Sequence, residues 1–215
     1  MNIKNKLAGV LVGLFFLGGC ATSRSVVDIP PPTSAKIAEP NGKDVYINST
    51  TDKRTFEAKP SSPNIPSLDP SEGFSESIKL RSIARKRNSY GKALGDILLK
   101  EGQTAGSLVA ASIRQAFVEK GYRVLDSKDK ATSSTYIVDT NVEKFWSWMN
   151  PGFFAITLST EISTDLTIKS PDGTDKSTVS IKASDHFQTA AESNWAEVIN
   201  KALRSYIDEL KSKLK

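Results

Sequence analysis

From Tyr136 to Phe187 the chain alternates between apolar and polar residues for most of fifty positions. Tyr136, Val138, Thr140 and Val142 face one way, and Asp139, Asn141 and Glu143 the other. Next, Phe154, Ile156, Leu158, Ile162, Leu166 and Ile168 share a face opposite Ser159, Glu161, Ser163, Asp165 and Lys169. Pro171-Asp172-Gly173 reads as a turn. Val179, Ile181, Ala183 and Phe187 then continue the period of two as an antiparallel neighbour. Three long strands with one apolar face each need a cover on that face.

Two amphipathic stretches supply it. Thr104 opens a helix whose Leu108, Val109, Ile113, Ala116 and Phe117 form one stripe, with Gly121 where a C-terminal cap belongs. A closing helix from about Ala191 carries Trp195, Val198, Ile199, Ala202, Leu203, Tyr206 and Leu210 on one side. Lys43 to Ser49 reads as a first strand and Tyr122 to Leu125 as a short one. The predicted fold is α+β: a two-layer sandwich, mainly antiparallel sheet, covered on one face by two helices and open to solvent on the other.

The N-terminus constrains location. Lys4 and Lys6 precede an apolar run from Leu7 to Leu17, then Gly18-Gly19-Cys20. The run is shorter than the ~20 residues that span a bilayer and has the form of a secretory signal. Leu17-Gly18-Gly19-Cys20 resembles the lipobox of bacterial lipoproteins, in which the cysteine thiol takes a diacylglycerol, the leader is cut before it and the new amine is acylated, as by palmitate. Cys20 is the only cysteine, so no internal disulfide forms although the leader directs the chain to an oxidising compartment. The resemblance implies a membrane partner through the lipid. With Ala21 after the cysteine, it also implies sorting to the outer membrane with the domain facing the periplasm.

The organisation expected is a signal peptide over 1–19, a lipidated flexible tether over 20–42 and one domain over 43–215. Pro30-Pro31-Pro32 and Pro40 suit a spacer that lifts the domain off the membrane. Within the domain a long Pro/Ser-rich and basic loop is expected at about 52–103. Asp52-Lys53-Arg54 closes the first strand as a local pair or an anchor for that loop, and Ala93 to Leu99 reads as a short docked helix.

Chemistry is sparse. The formal charge of +5 falls further when the leader takes two lysines with it, too mild a balance to imply nucleic acid, and no nucleic-acid partner is expected. One histidine, His186, and one cysteine leave little for metal sites or Cys–His nucleophiles. No phosphate-binding glycine loop, nucleophile elbow or EF-hand loop occurs. Asp139, Glu143, Glu161 and Asp165 alternate on exposed strand faces, where acids commonly only solvate. No cofactor and no enzymatic activity are expected.

Two clusters stand out. The stretch from Lys79 to Lys92 is the densest run of cations and holds no acid. Arg81, Arg85, Lys86, Arg87, Tyr90 and Lys92 in it are candidate contacts for an anion or a partner: lipid headgroups, lipopolysaccharide, peptidoglycan peptides or an acidic envelope protein. The competing reading is a flexible, solvated charge run. Trp146 and Trp148 are candidate partner contacts, with Met149, Phe153 and Phe154 near the turn at Asn150-Pro151-Gly152. An aromatic hairpin tip suits a membrane interface or a groove, whereas period-two counting places the Trp pair on the face of Tyr136 and Val138, in the core.

The lipobox, a strand ending in Asp52-Lys53-Arg54, the helix Val109 to Lys120 followed by Gly121-Tyr122-Arg123-Val124, the long alternating strands and the final helix together resemble the YajG-like family of envelope lipoproteins. They also look distantly like auxiliary lipoproteins of envelope ABC transporters. The resemblance spans roughly 43–210, and the basic stretch from Arg81 to Lys92 departs from its shorter members. It implies a non-enzymatic accessory or scaffold of an outer-membrane or periplasmic assembly. A lipid- or glycan-binding auxiliary of envelope transport is the alternative, and a flagellar-biogenesis accessory a further one. It transfers no catalytic residues.

Overall fold

In a computed structural model, residues 24–33, 38–69 and 75–214 are described, and the candidate lipidation site Cys20 lies outside them. In chain order the elements are β1 (Ser25–Val27), β2 (Asp44–Asp52), α1 (Glu76–Arg81), β3 (Ser82–Arg87), β4 (Ala93–Leu99), α2 (Ala105–Glu119), β5 (Arg123–Leu125), β6 (Tyr136–Pro151), β7 (Ile156–Ser170), β8 (Gly173–Phe187) and α3 (Glu192–Lys213). The eight strands form one sheet. The fold is α+β, with α2 and α3 packed on one face, as the alternation predicts.

The 16-residue β6 organises the sheet. One edge pairs with β7 along its length, and β8 continues that antiparallel meander. The other edge takes two partners in turn: β2, parallel, from Val45 to Asp52, then β3 at Ala84 beside Ser147. Parallel pairs also join β5 to β2 and β1 to β4. Between β2 and β3 the Phe145 carbonyl has no strand to meet. The Arg54 guanidinium fills the gap. It donates to the carbonyls of Phe145 at 3.0 Å, Ser82 at 2.6 Å and Lys79 at 2.8 Å, and pairs with Asp52 at 2.8 Å. A buried cation is tolerable only when paired and hydrogen-bonded, and here both conditions hold.

The helices follow their local signals. Thr104 Oγ1 accepts from the Ser107 amide at 3.0 Å while Ser107 Oγ accepts from the Thr104 amide at 2.9 Å, a reciprocal cap that starts α2. Gly121, at φ 83°, ends it. The stripes Leu108–Phe117 and Trp195–Leu210 are fully or nearly buried against the sheet, each large side chain contributing about 1.5–3 kcal/mol. Glu119 clamps α2 to α3 through Arg204 at 2.9 Å and Lys211 at 2.8 Å. Burial works to raise the Glu119 carboxyl, but hydrogen bonds from Lys211, Gln115 and Arg204 outweigh it and bring it to about 2.

Three expectations are corrected. First, the segment at 52–103 is not one long loop. It contains α1, β3 and β4, and Ala93 to Leu99 is strand rather than helix. β4 lies between β1 and β3 with Gly95 to Leu99 buried, so it shows no alternation and resembles a short apolar helix in sequence. Second, the described residues of the span assigned to the tether, 24–33 and 38–42, dock on the domain. Ser25–Val27 pairs with β4, Ile29 is fully buried, the Thr33 carbonyl accepts from Arg204 at 2.7 Å, and the Asn41 amide donates to the Gly121 carbonyl at 2.9 Å. Third, the face away from the helices is not wholly open. Residues 53–69 cross it, burying Ser67 and Leu68.

Candidate functional site

The basic stretch forms no continuous solvated surface. In β3 the Arg85 and Lys86 side chains are each only 7% exposed. Arg85 pairs with Asp69 at 2.8 Å and lies 3.6 Å from the buried Asp96. Lys86 donates to Ser25 Oγ at 3.0 Å, Arg87 to Ser67 Oγ at 3.1 Å, and Arg81 to the Leu99 carbonyl at 2.9 Å. Burial, then the charge of Arg85, lowers the Arg87 guanidinium from its ordinary value. These four cations hold strands and the crossing segment together. The acids that balance them, Asp69 and Asp96, lie outside the cationic run in sequence and are brought to it by the fold. Lys92 and Tyr90 differ: both are exposed, Tyr90 at 93%, on the β3–β4 turn.

Trp146 and Trp148 occupy the face opposite the helices. β6 carries a bulge at Glu143, between Val142 and Lys144. One extra residue reverses the alternation beyond it. Val138 and Val142 point to the helices before the bulge and Phe145 and Met149 after it, so Trp146 and Trp148 turn to the other side. This corrects the shared face with Tyr136 and Val138. Trp146 is fully buried, its Nε1 donating to the Pro63 carbonyl at 3.1 Å and its ring 6.0 Å from Phe56, edge to face. Trp148 is 5% exposed, with the Lys182 and Lys144 ammonium groups 5.1 and 6.0 Å from its ring centre.

The acids on this side are engaged. Asp139 accepts from Asn48 at 2.6 Å and Ser49 at 2.7 Å, and those bonds, Asn48 first, hold its carboxyl below the ordinary value. Glu161 pairs with Lys144 at 2.8 Å, and Asp165 accepts from Thr178 at 2.6 Å. Glu143 is exposed. His186 Nδ1 lies 3.0 Å from Thr157 Oγ1 at the surface. Among the described residues no His, Cys, Asp and Glu cluster is arranged to hold a metal ion.

A cavity of about 530 Å³ opens at the end of the sheet where β2, β5 and β6 begin. These three strands are parallel neighbours, so the residues at their starts converge, Tyr122 and Tyr136 meeting Lys43 from dozens of positions further along the chain. The Lys43 ammonium lies 5.7 Å from the Tyr122 ring centre and 5.4 Å from that of Tyr136. Contact with Tyr136, then with Tyr122, holds Lys43 above its ordinary value, while burial pushes the Tyr122 hydroxyl up. Phe117 stacks edge to face on Tyr122 at 5.0 Å, and Asp172, Lys176 and Lys213 ring the mouth. The arrangement suits a small ligand with an apolar or sugar face and an anionic group. The sequence offers no local sign of it. The signal is the parallel pairing of short strands, which periodicity does not report.

At the opposite end, Phe153 and Phe154 stand 95% and 85% exposed on the β6–β7 turn, ring centres 4.7 Å apart. With Tyr90 they are the most exposed large apolar side chains among the described residues.

No family model and no curated protein matches the sequence. Solved structures do. Protein XCC0632 from Xanthomonas campestris, of family DUF330, is similar at 13% identity and TM-score 0.50 over 87% of this chain and 92% of that one. A minor lipoprotein from Acinetobacter baumannii is similar at 10% identity and TM-score 0.33, over 49% and 84%. Lipoprotein GNA1162 from Neisseria meningitidis is similar at 8% identity and TM-score 0.32, over 77% and 98%. The likeness to the Xanthomonas protein is one of fold alone, and the two weaker ones add no argument about what this chain does.

Proposed function

We propose that the chain is a lipid-anchored, non-enzymatic envelope lipoprotein that serves as an accessory or scaffold of an outer-membrane or periplasmic assembly. The observation that carries this reading is Leu17-Gly18-Gly19-Cys20 after a short apolar leader. Outer-membrane placement, through Ala21, and a YajG-like kinship belong to the same reading. Support comes from the engaged state of the polar groups: Arg81, Arg85, Lys86 and Arg87 serve the fold, and the paired acids have structural partners. No helix among the described residues is long and apolar enough to cross a membrane. The test is metabolic labelling with palmitate and membrane fractionation of the wild type and Cys20→Ala. The expected result is label and membrane association in the first and neither in the second. A Cys20→Ala chain that stays membrane-bound and labelled would sink the reading.

The cavity at Lys43 favours a second reading, a lipoprotein that binds a lipid or glycan fragment for envelope transport. Native mass spectrometry of protein taken from cell membranes tests it. A bound molecule lost on Tyr136→Ala supports carriage, and an empty wild-type protein leaves the scaffold reading in place.

A further inference from the structure

Strand pairing aligns one transverse row: Ser25 beside Ile97, Ile97 beside Ala84, Ala84 beside Ser147, Ser147 beside Thr160. From this row β3 and β6 run in one direction, and β4 and β1 run in the other. The chain after β3, the chain after β6 and the chain before β1 therefore all leave the sheet at the same end. The first two are the turns that hold Tyr90, Phe153 and Phe154. The third leads back to Cys20.

Chain length fixes how far that lipid site lies from the row. Strands advance about 3.3 Å per residue, so Pro151 sits about 13 Å beyond Ser147, with the Phe153–Phe154 turn past it. The five steps from Ser25 to Cys20 reach at most about 17 Å in the same direction. A lipid on Cys20 can therefore lie no further than about 17 Å from Ser25, a reach that extends to the level of the aromatic turns. Neither turn, Asn88–Lys92 or Asn150–Ala155, contains an acidic residue, and Lys92 is exposed on the first. Two acid-free turns, tipped with three uncovered rings, match the headgroup layer of a bilayer, while Glu192, exposed at the start of α3 at this end, accepts from Ser25 Oγ at 2.7 Å. Two or three rings bind a membrane weakly alone. With Ser25 tethered no more than about 17 Å from the acylated residue, they engage at high effective concentration.

We propose that the β3–β4 and β6–β7 turns insert Tyr90, Phe153 and Phe154 into the interface of the bilayer that holds the Cys20 lipid. The domain then stands end-on against the membrane, with the Lys43 cavity at the outward end. The inference rests on the lipidation of Cys20.

The test uses the full lipidated chain in vesicles of phosphatidylethanolamine and phosphatidylglycerol. A photoreactive benzoyl-phenylalanine replaces Phe154, Tyr90 or, as the outward-end control, Asp172. Burial of a single aromatic ring shifts such a partition by roughly tenfold or more, so lipid adducts from positions 154 and 90 should exceed those from 172 by that factor. Adding Phe153→Ser to the chain probed at 154 should reduce the yield. Equal yields from all three positions, on protein that floats with the vesicles, overturn the docking and leave the anchor standing. Protein that carries no acyl mass and does not float overturns both. A dominant protein adduct at 154 in whole cells also overturns the proposal and assigns the turns to a protein partner.

Discussion

Phe153 and Phe154 meet edge to face at 4.7 Å with almost their whole surface in solvent, whereas Phe117, Tyr122 and Tyr136 meet edge to face at 5.0 and 5.4 Å around Lys43 at the other end of the sheet. The ring geometry is the same and the energetic role is not. At the cavity end the rings join α2 to β5 and β6, so the fold depends on them. At the turn end they touch little besides each other, so the folded state gains almost nothing from them. Residues that add nothing to folding and expose large apolar area are what a surface reserved for something outside the chain contains.

Four tests break or sharpen this contrast. The largest effect belongs to Phe117→Ala at the cavity end. It empties a fully buried site and should lower unfolding free energy by about 3–5 kcal/mol, read as an earlier urea midpoint with an unchanged slope. A loss below 1 kcal/mol would mean that this end is no more structural than the other. Next comes Gly121→Ala, where a Cβ meets the Glu39 carbonyl and φ is 83°. Strain of this kind costs about 1–3 kcal/mol, and it should show as faster amide exchange at Asn41, whose amide bonds to Gly121.

Third is acid. Glu119 ionises well below its ordinary 4.5, at about 2, so its contribution is full above pH 4.5 and is lost as pH falls toward 2. Partial solvent screening limits the loss to about 1–2 kcal/mol. Glu119→Gln should flatten that stretch of the stability–pH curve, and an unchanged curve would show that the clamp between α2 and α3 is energetically idle. The smallest effects belong to the turn end. Tyr90→Ser and Phe153→Ser should each leave the urea midpoint within about 0.5 kcal/mol of the wild type. A larger loss would give those rings a place in the fold and remove the contrast.

Much of the helical layer and the meander is legible in sequence because its information is local. Thr104 and Gly121 bracket α2, the stripe from Trp195 to Leu210 marks α3, and period two runs through β7 and β8. What escapes is set by distant partners. Ala93 to Leu99 has buried neighbours on both sides and so lacks alternation. The bulge at Glu143 carries no residue that announces it, yet it moves Trp146 and Trp148 to the opposite face. The cations of β3 look exposed until Asp69 and Asp96 are placed beside them. Arg54 is the intermediate case: its pairing with Asp52 is local and visible, while its bonds to Ser82 and Phe145 depend on two strands that arrive later. Among candidate contacts, Tyr90 and Lys92 stay at the surface, and the Lys43 cavity is invisible until parallel pairing is known.

The double partnership of β6 has a consequence in time. Val45 pairs with Tyr136 and Ala84 with Ser147, so the first half of the chain owns no complete sheet until β6 is available. Such long-range closure makes folding slow relative to helix formation. A chain exported amino end first would therefore remain threadable until residues near 150 had passed, and the same topology that delays collapse would protect its passage across the membrane.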